Sequence, residues 1–276
     1  MTRLRENFAM ERIRHSFHQH GKPVPIALGL VPATSSPPRP PVLLRRAGPS
    51  PRTLGLGWYE QVRARLVTQW LVKMLGTMFG IAAFFGVYFW LLRHPFFPVK
   101  VMPLTAIDRL VVFQPAALPL YLSLWVYVSL APALLLDRRE FAAYGGGAVA
   151  LSLIGLGVFV FWPTAVPRPE VDWSLHPTFA FLKSADAAGN ACPSLHAAFA
   201  VFTAIWFGRL LREMGVGRLV RACNWLWCLG ILYSTVAIRQ HVSLDALAGA
   251  ALGAAVGLID GRRLHVVRAR AGRIAG

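Results

Sequence analysis

Residues 69–92 read QWLVKMLGTMFGIAAFFGVYFWLL, a run in which Lys73 is the one charged side chain. As a helix it rises about 36 Å, enough to cross the roughly 30 Å hydrocarbon core of a bilayer. Three further stretches share this character, at residues 111–136, 141–163 and 193–211, and two shorter ones follow at 222–238 and 244–259. Only residues 239–243 separate the last two, which suits a tight turn between antiparallel spans better than a loop in water. A hydrophobic content of 55% against 15% charged residues agrees with that reading and not with an ordinary soluble domain. The sequence therefore predicts an all-α integral membrane protein. Six transmembrane helices form a bundle over residues 57–261, between a basic, proline-rich tail at 1–56 and a short basic tail at 262–276.

A net charge of +17 also raises nucleic acid as a partner, and the placement of the charges decides against it. Eleven Lys/Arg lie in residues 1–68, two at Arg138 and Arg139, four from Arg209 to Arg221 and five from Arg262 to Arg273. These blocks fall on one side of the predicted spans. The other side holds six: Arg93, Lys100, Arg109, Arg168, Lys183 and Arg239. Such asymmetry follows the positive-inside rule and predicts both termini in the cytoplasm. Because the arginines are spread over every inner loop, no single recognition element for DNA emerges.

Within the first tail, "PATSSPPRPP" and "RRAGPSPRTLGLG" are too rich in Pro, Gly and Ser to offset the entropy of ordering. This segment is expected to be disordered, and residues 1–20 lack the apolar core of a cleavable signal. Its His15, His18 and His20 have no acidic or cysteine partner, and Cys192, Cys223 and Cys228 lack metal-ligand spacing. No metal and no cofactor is expected. Trp58, Val62 and Leu66 recur at helical spacing beside Tyr59, as in a short helix lying at the lipid headgroups.

On the outer side two stretches place ionisable groups at predicted helix starts, where such groups are functional candidates. In "IRQHVSLDALAGA" His241 and Asp245 are four apart, so on one helix face they reach each other. The carboxylate would fix the imidazole tautomer and leave the second nitrogen to attack an electrophile; a polar pair that closes a turn is the plainer alternative. In "NACPSLHAAFAVF" Pro193 suits the first turn of a helix, and Ser194 with the unpaired amides suits an anion such as phosphate. His196 would stand beside that anion as a proton donor, or serve as an interfacial residue bonded to a loop. Arg168 in "FWPTAVPRPEV" either anchors a headgroup or holds a phosphoryl group with its fork of donors.

Taken together, "PSLH" at 193–196 and "QHVSLDALAG" at 240–249 resemble the type 2 phosphatidic acid phosphatase (PAP2) superfamily, which includes bacterial acid phosphatases and vanadium haloperoxidases. The Leu195 of PSLH, where phosphatases usually carry glycine, is similar to the branch containing inositol phosphorylceramide synthase. "LTAIDRLVVFQP" and "LYLS" resemble bacterial members of that branch, and the likeness spans roughly residues 100–260. The resemblance implies a six-helix bundle acting on a lipid phosphate at its outer face, without metal or cofactor, and the preponderance of arginine over lysine suggests a GC-rich bacterial genome and hence a bacterial cytoplasmic membrane. The resemblance also implies His241 as nucleophile through a phosphohistidine, Asp245 as its orienting partner, His196 as the acid, and Ser194 and Arg168 as phosphate ligands. A neutral His241 and a protonated His196 would give a bell-shaped pH profile. Two positions depart from the pattern: Phe161 stands where the first motif has lysine, and Thr235 where the third has arginine. Arg239 can supply the latter charge to the phosphate; whether Lys183 replaces the former is left open. Hydrolysis and head-group transfer are equally compatible with these residues. A transporter or flippase using the same residues for binding is the rival class, although no inverted repeat is evident.

Overall fold

In a computed structural model of the chain, the described residues are 57–167, 171–179, 182 and 189–275, with side chains described to residue 261. The tail at 1–56, Arg168 and Lys183 lie outside them, as do the side chains of the basic segment 262–276.

Among the described residues, five helical segments are long and apolar enough to cross a membrane: Trp70–Arg93, Pro115–Ala133, Arg138–Phe161, Arg218–Ala237 and Ser243–Gly261. This suits an integral membrane protein built of helices. A sixth helix, Leu195–Glu213, occupies the position of the predicted fourth span, but Arg209, Arg212 and Glu213 make its end polar. In chain order the helices are α1 (Trp58–Val67), α2 (Trp70–Arg93), α3 (Ala106–Leu110), α4 (Leu118–Leu122), α5 (Leu124–Ala133), α6 (Arg138–Phe161), α7 (Leu195–Glu213), α8 (Arg218–Ala237) and α9 (Ser243–Ala275).

The ends of these helices are written in the sequence. Asp137 caps α6 by accepting the Glu140 amide at 2.7 Å, and Glu140 in turn accepts the Leu136 amide at 3.1 Å, an exchange that satisfies donors on both sides of the cap. The second predicted span is one helical segment, Pro115–Ala133, divided internally: Pro115–Ala117 is a 3₁₀ turn, and α4 and α5 meet at Ser123, whose backbone stays in the helical region. Ser123 Oγ donates to the Leu120 carbonyl at 2.6 Å and accepts Trp227 Nε1 at 2.8 Å, which ties this junction to α8.

The core is centred on α7, whose Ala197, Ala198, Ala200, Ala204 and Phe202 are fully buried. Along α9, Gly249, Gly253 and Gly257 recur every four residues on one face. A Cβ at Gly249 would strike the Ser194 carbonyl oxygen and one at Gly253 that of Ala198, so only glycine lets the two backbones pack this closely. At Gly257 a Cβ would meet the side chain of Ile205 instead.

Two very short strands sit at one end of the bundle, β1 (Lys100–Val101) and β2 (Thr164–Ala165), paired in parallel with Lys100 opposite Thr164. They join the segments that follow α2 and α6. Thr164 Oγ1 also accepts the Cys192 amide at 2.8 Å, and its carbonyl accepts the Ala191 amide at 3.1 Å. The end of α6 is thereby held against the approach to α7.

Candidate active site

The start of α7 differs from the sequence expectation in one detail: Pro193 precedes the helix, and Ser194 is its N-cap. Ser194 Oγ accepts the Ala197 amide at 3.3 Å, and the residue is fully buried. Its own amide donates to the Asp245 carbonyl at 2.9 Å. With the glycine contact above, this bond sets the start of α7 against the first turn of α9.

The chain enters α9 through a turn that sequence patterning underestimates. Thr235, where a motif arginine was expected, offers its carbonyl to both the Gln240 and the His241 amides, at 3.1 and 3.0 Å. Arg239 takes a left-handed conformation with φ of 60° to make this reversal. His241 therefore precedes α9 by two residues and Asp245 lies in its first turn, where the helix dipole favours a carboxylate. Their side chains meet, Nδ1 to Oδ2, at 3.2 Å, and both are buried. A carboxylate only accepts, so Nδ1 carries the proton and Nε2 keeps the lone pair.

His196, the second residue of α7, is half-buried and brings its ring centroid to 5.7 Å from that of His241. On its other side the ring of Tyr121 in α4 stacks on it, with centroids 4.6 Å apart and planes at 24°. Tyr121 is buried among Ala117, Phe179, Ala237 and Ile238.

Arg239 is committed to the protein itself. Its two terminal nitrogens donate to the Asp108 carbonyl at 2.9 Å and the Val111 carbonyl at 2.7 Å. The same segment is fastened a second time through the Asp108 side chain. Oδ1 accepts the Ser243 amide at 2.7 Å, and Oδ2 accepts the Ser243 hydroxyl at 2.9 Å and the Thr105 amide at 2.8 Å. Asp108 thus caps α9 from another part of the chain. Burial works to raise its carboxyl, but these amide and hydroxyl donors outweigh it and hold the group below the ordinary carboxylate range. Cys192, just before the cap, is pushed up by burial and then by the Asp245 carboxylate, so its thiol stays protonated.

Other polar residues of this side are engaged locally. His94 Nδ1 bonds the Trp90 carbonyl at 3.0 Å, Asp172 accepts the Ser174 amide at 3.0 Å, and His176 packs edge-on to Phe113. Of the residues singled out in the sequence, the structure gathers Ser194, His196, His241 and Asp245 at one end of the bundle, with Arg239 bracing the turn beside them. Tyr121 and Asp108 are the additions. Asp108 was one polar residue among many on that side, and "LYLS" contains Tyr121 without marking its target.

A helical bundle with membrane-crossing segments and a buried His–Asp pair facing a second histidine defines the class. The sequence model of the PAP2 superfamily matches residues 142–262, a span that holds Ser194, His196, Arg239, His241 and Asp245 and excludes Tyr121 and Asp108. No curated protein and no solved structure matches the chain.

Proposed function

We propose that the chain is a PAP2-type membrane enzyme that removes or transfers the phosphoryl group of a lipid phosphate. PAP2 superfamily members are typically phosphatases, and the match covers the histidines in question. The observation that carries the reading is the pair of contacts that His241 makes, with Asp245 at 3.2 Å and with His196 at 5.7 Å between ring centroids, inside the matched segment.

The chemistry follows from the protonation states. The Nε2 lone pair of His241 attacks phosphorus, a P–N bond forms, and the P–O bond to the lipid alcohol breaks. His196 gives its proton to the departing oxygen, which leaves as the neutral alcohol. In the second half, water or an acceptor alcohol attacks phosphorus, His196 takes back the proton, and His241 is released. Asp245 holds the imidazole in the reactive tautomer throughout. Ser194, Arg168 and the charge of Arg239 surround the phosphate in this reading. Since Arg239 already spans two carbonyls, its share is the field of its charge more than a direct bond. The bundle comprises six spans with α7 as the fourth, both termini in the cytoplasm and the site on the outer face. The PSLH motif supports the reading that it is similar to the inositol phosphorylceramide synthase-like branch.

The test is to incubate purified protein with a lipid phosphate labelled on phosphorus and quench in base, where phosphohistidine survives. Label on wild type and none on His241→Ala is the expected result; turnover by His241→Ala at the wild-type rate would refute the assignment. Adding a lipid alcohol then separates hydrolysis from transfer, according to whether the label ends in free phosphate or in a new lipid.

A further inference from the structure

Resting on the proposed role of His196 as proton donor, we infer that Tyr121 is a positioning residue, whose ring fixes the plane of the His196 imidazole for protonation of the leaving group. Three observations carry this. The two rings are stacked at 4.6 Å and 24°, closer and more nearly parallel than the 5.7 Å and 55° between His196 and His241. Stacking engages a face of the imidazole and not its edge, so the transferable proton stays in the plane that Tyr121 sets. Finally, Tyr121 cannot drift: it is 2% exposed, packed in a cluster with Phe179 and Ile238, and sits two residues before Ser123, which is tied to Trp227.

A residue that acts through the general acid has a signature that simple packing lacks. Its loss hurts substrates whose leaving group needs a proton and spares those whose leaving group departs as a stable anion. Octyl phosphate and p-nitrophenyl phosphate provide the two cases. The quantity to compare is kcat/KM, which reports the steps up to leaving-group departure. Tyr121→Leu should lower kcat/KM for octyl phosphate by about tenfold or more, within the range of general-acid effects, and leave that for p-nitrophenyl phosphate within about twofold. Tyr121→Phe keeps the ring and should keep the wild-type ratio of the two kcat/KM values. Activity on p-nitrophenyl phosphate serves as the check that the variant is folded.

Equal losses on the two substrates for Tyr121→Leu would overturn the proposal, as would a selective loss on octyl phosphate for Tyr121→Phe. If Tyr121→Leu does not accumulate, Tyr121→Met is measured the same way; failure of both to fold assigns the ring to packing alone and also overturns it. His196→Ala separates this inference from the reading beneath it. Selective loss on octyl phosphate in His196→Ala but not in Tyr121→Leu sinks only the role of Tyr121. Unselective behaviour of His196→Ala sinks the role of His196 as acid.

Discussion

Both ends of the bundle bury polar side chains, and they do so in different ways. At the end where α1 meets α2 and α5, Lys73 Nζ donates to the Arg65 carbonyl at 2.6 Å and the Ala133 carbonyl at 3.0 Å, while Arg65 donates to the Leu134 carbonyl at 3.0 Å. Cationic side chains here finish helix ends, a use in which charge meets unpaired backbone. At the other end the bonds run between side chains capable of chemistry: imidazole to carboxylate, imidazole against imidazole, imidazole on phenol. Burial alone does not separate a site from a staple; the partner does. Arg239 shows the distinction within the site itself, since it lies beside the histidines yet spends its donors as Lys73 does.

Breaking the two ends should therefore give opposite phenotypes. The largest effect belongs to Asp245→Asn. The amide can donate where the carboxylate accepts, so His241 turns over its tautomer and loses the lone pair at the attacking nitrogen. Turnover should fall on the order of 10²–10⁴-fold with little change in KM, measured on a lipid phosphate alongside thermal unfolding to show that the fold survives. Next comes Gly249→Ala, whose methyl meets the Ser194 backbone. It should lower stability by about 1–3 kcal/mol and also depress turnover, because α7 is displaced together with His196. Gly257→Ala, facing the Ile205 side chain and not backbone, should lose less of both. Equal effects at the two glycines would mean that the close approach of α7 and α9 near the site has no bearing on catalysis.

Lys73→Met strikes the opposite end. It leaves the Arg65 and Ala133 carbonyls without that donor and should cost about 1–3 kcal/mol of stability. Activity per folded molecule should stay unchanged, and a fall in kcat/KM comparable to that of Asp245→Asn would erase the contrast between the ends.

What the sequence made legible was local. The runs at 141–163 and 244–259 became helices because apolar length is a property of the segment itself; the first keeps close to its expected bounds, whereas the second starts as expected but runs on to Ala275, past the predicted end at 259. The His241–Asp245 contact followed from spacing alone, even though α9 begins at Ser243 and not at His241. The parts that stayed hidden depend on distant segments. Ser243 and Asp108 meet across 135 positions, and nothing in either neighbourhood marks the other. The run at 111–136 holds one span, Pro115–Ala133, as its continuous apolar content implies, but the tie from Ser123 to Trp227 in α8 is not visible in it. Arg239 was recognisable as a charge near a histidine, but a sequence does not show that two carbonyls will occupy it.

The smallest expected effect concerns the Asp108 clamp, which stands between the two modes of burial: a charged group that serves structure while touching the helix that carries the site. Its folded-state carboxyl lies below its unfolded value of about 3.9, so the stability it contributes is fully present above that value. That contribution disappears as pH falls through the lower, folded value. Asp108→Asn places an amide against the Ser243 and Thr105 donors and should be less stable than wild type by about 1 kcal/mol at neutral pH. The gap should narrow only below about pH 4, as the wild-type carboxyl takes up its proton. Thermal unfolding of both proteins across that range reads the prediction directly, and a gap that stays constant to the acid end would show that Asp108 acts through its shape and not its charge. Because the clamp holds Ser243 and not His241 itself, turnover at neutral pH should drop no more than the loss of folded protein accounts for; a larger drop would move Asp108 from staple to site.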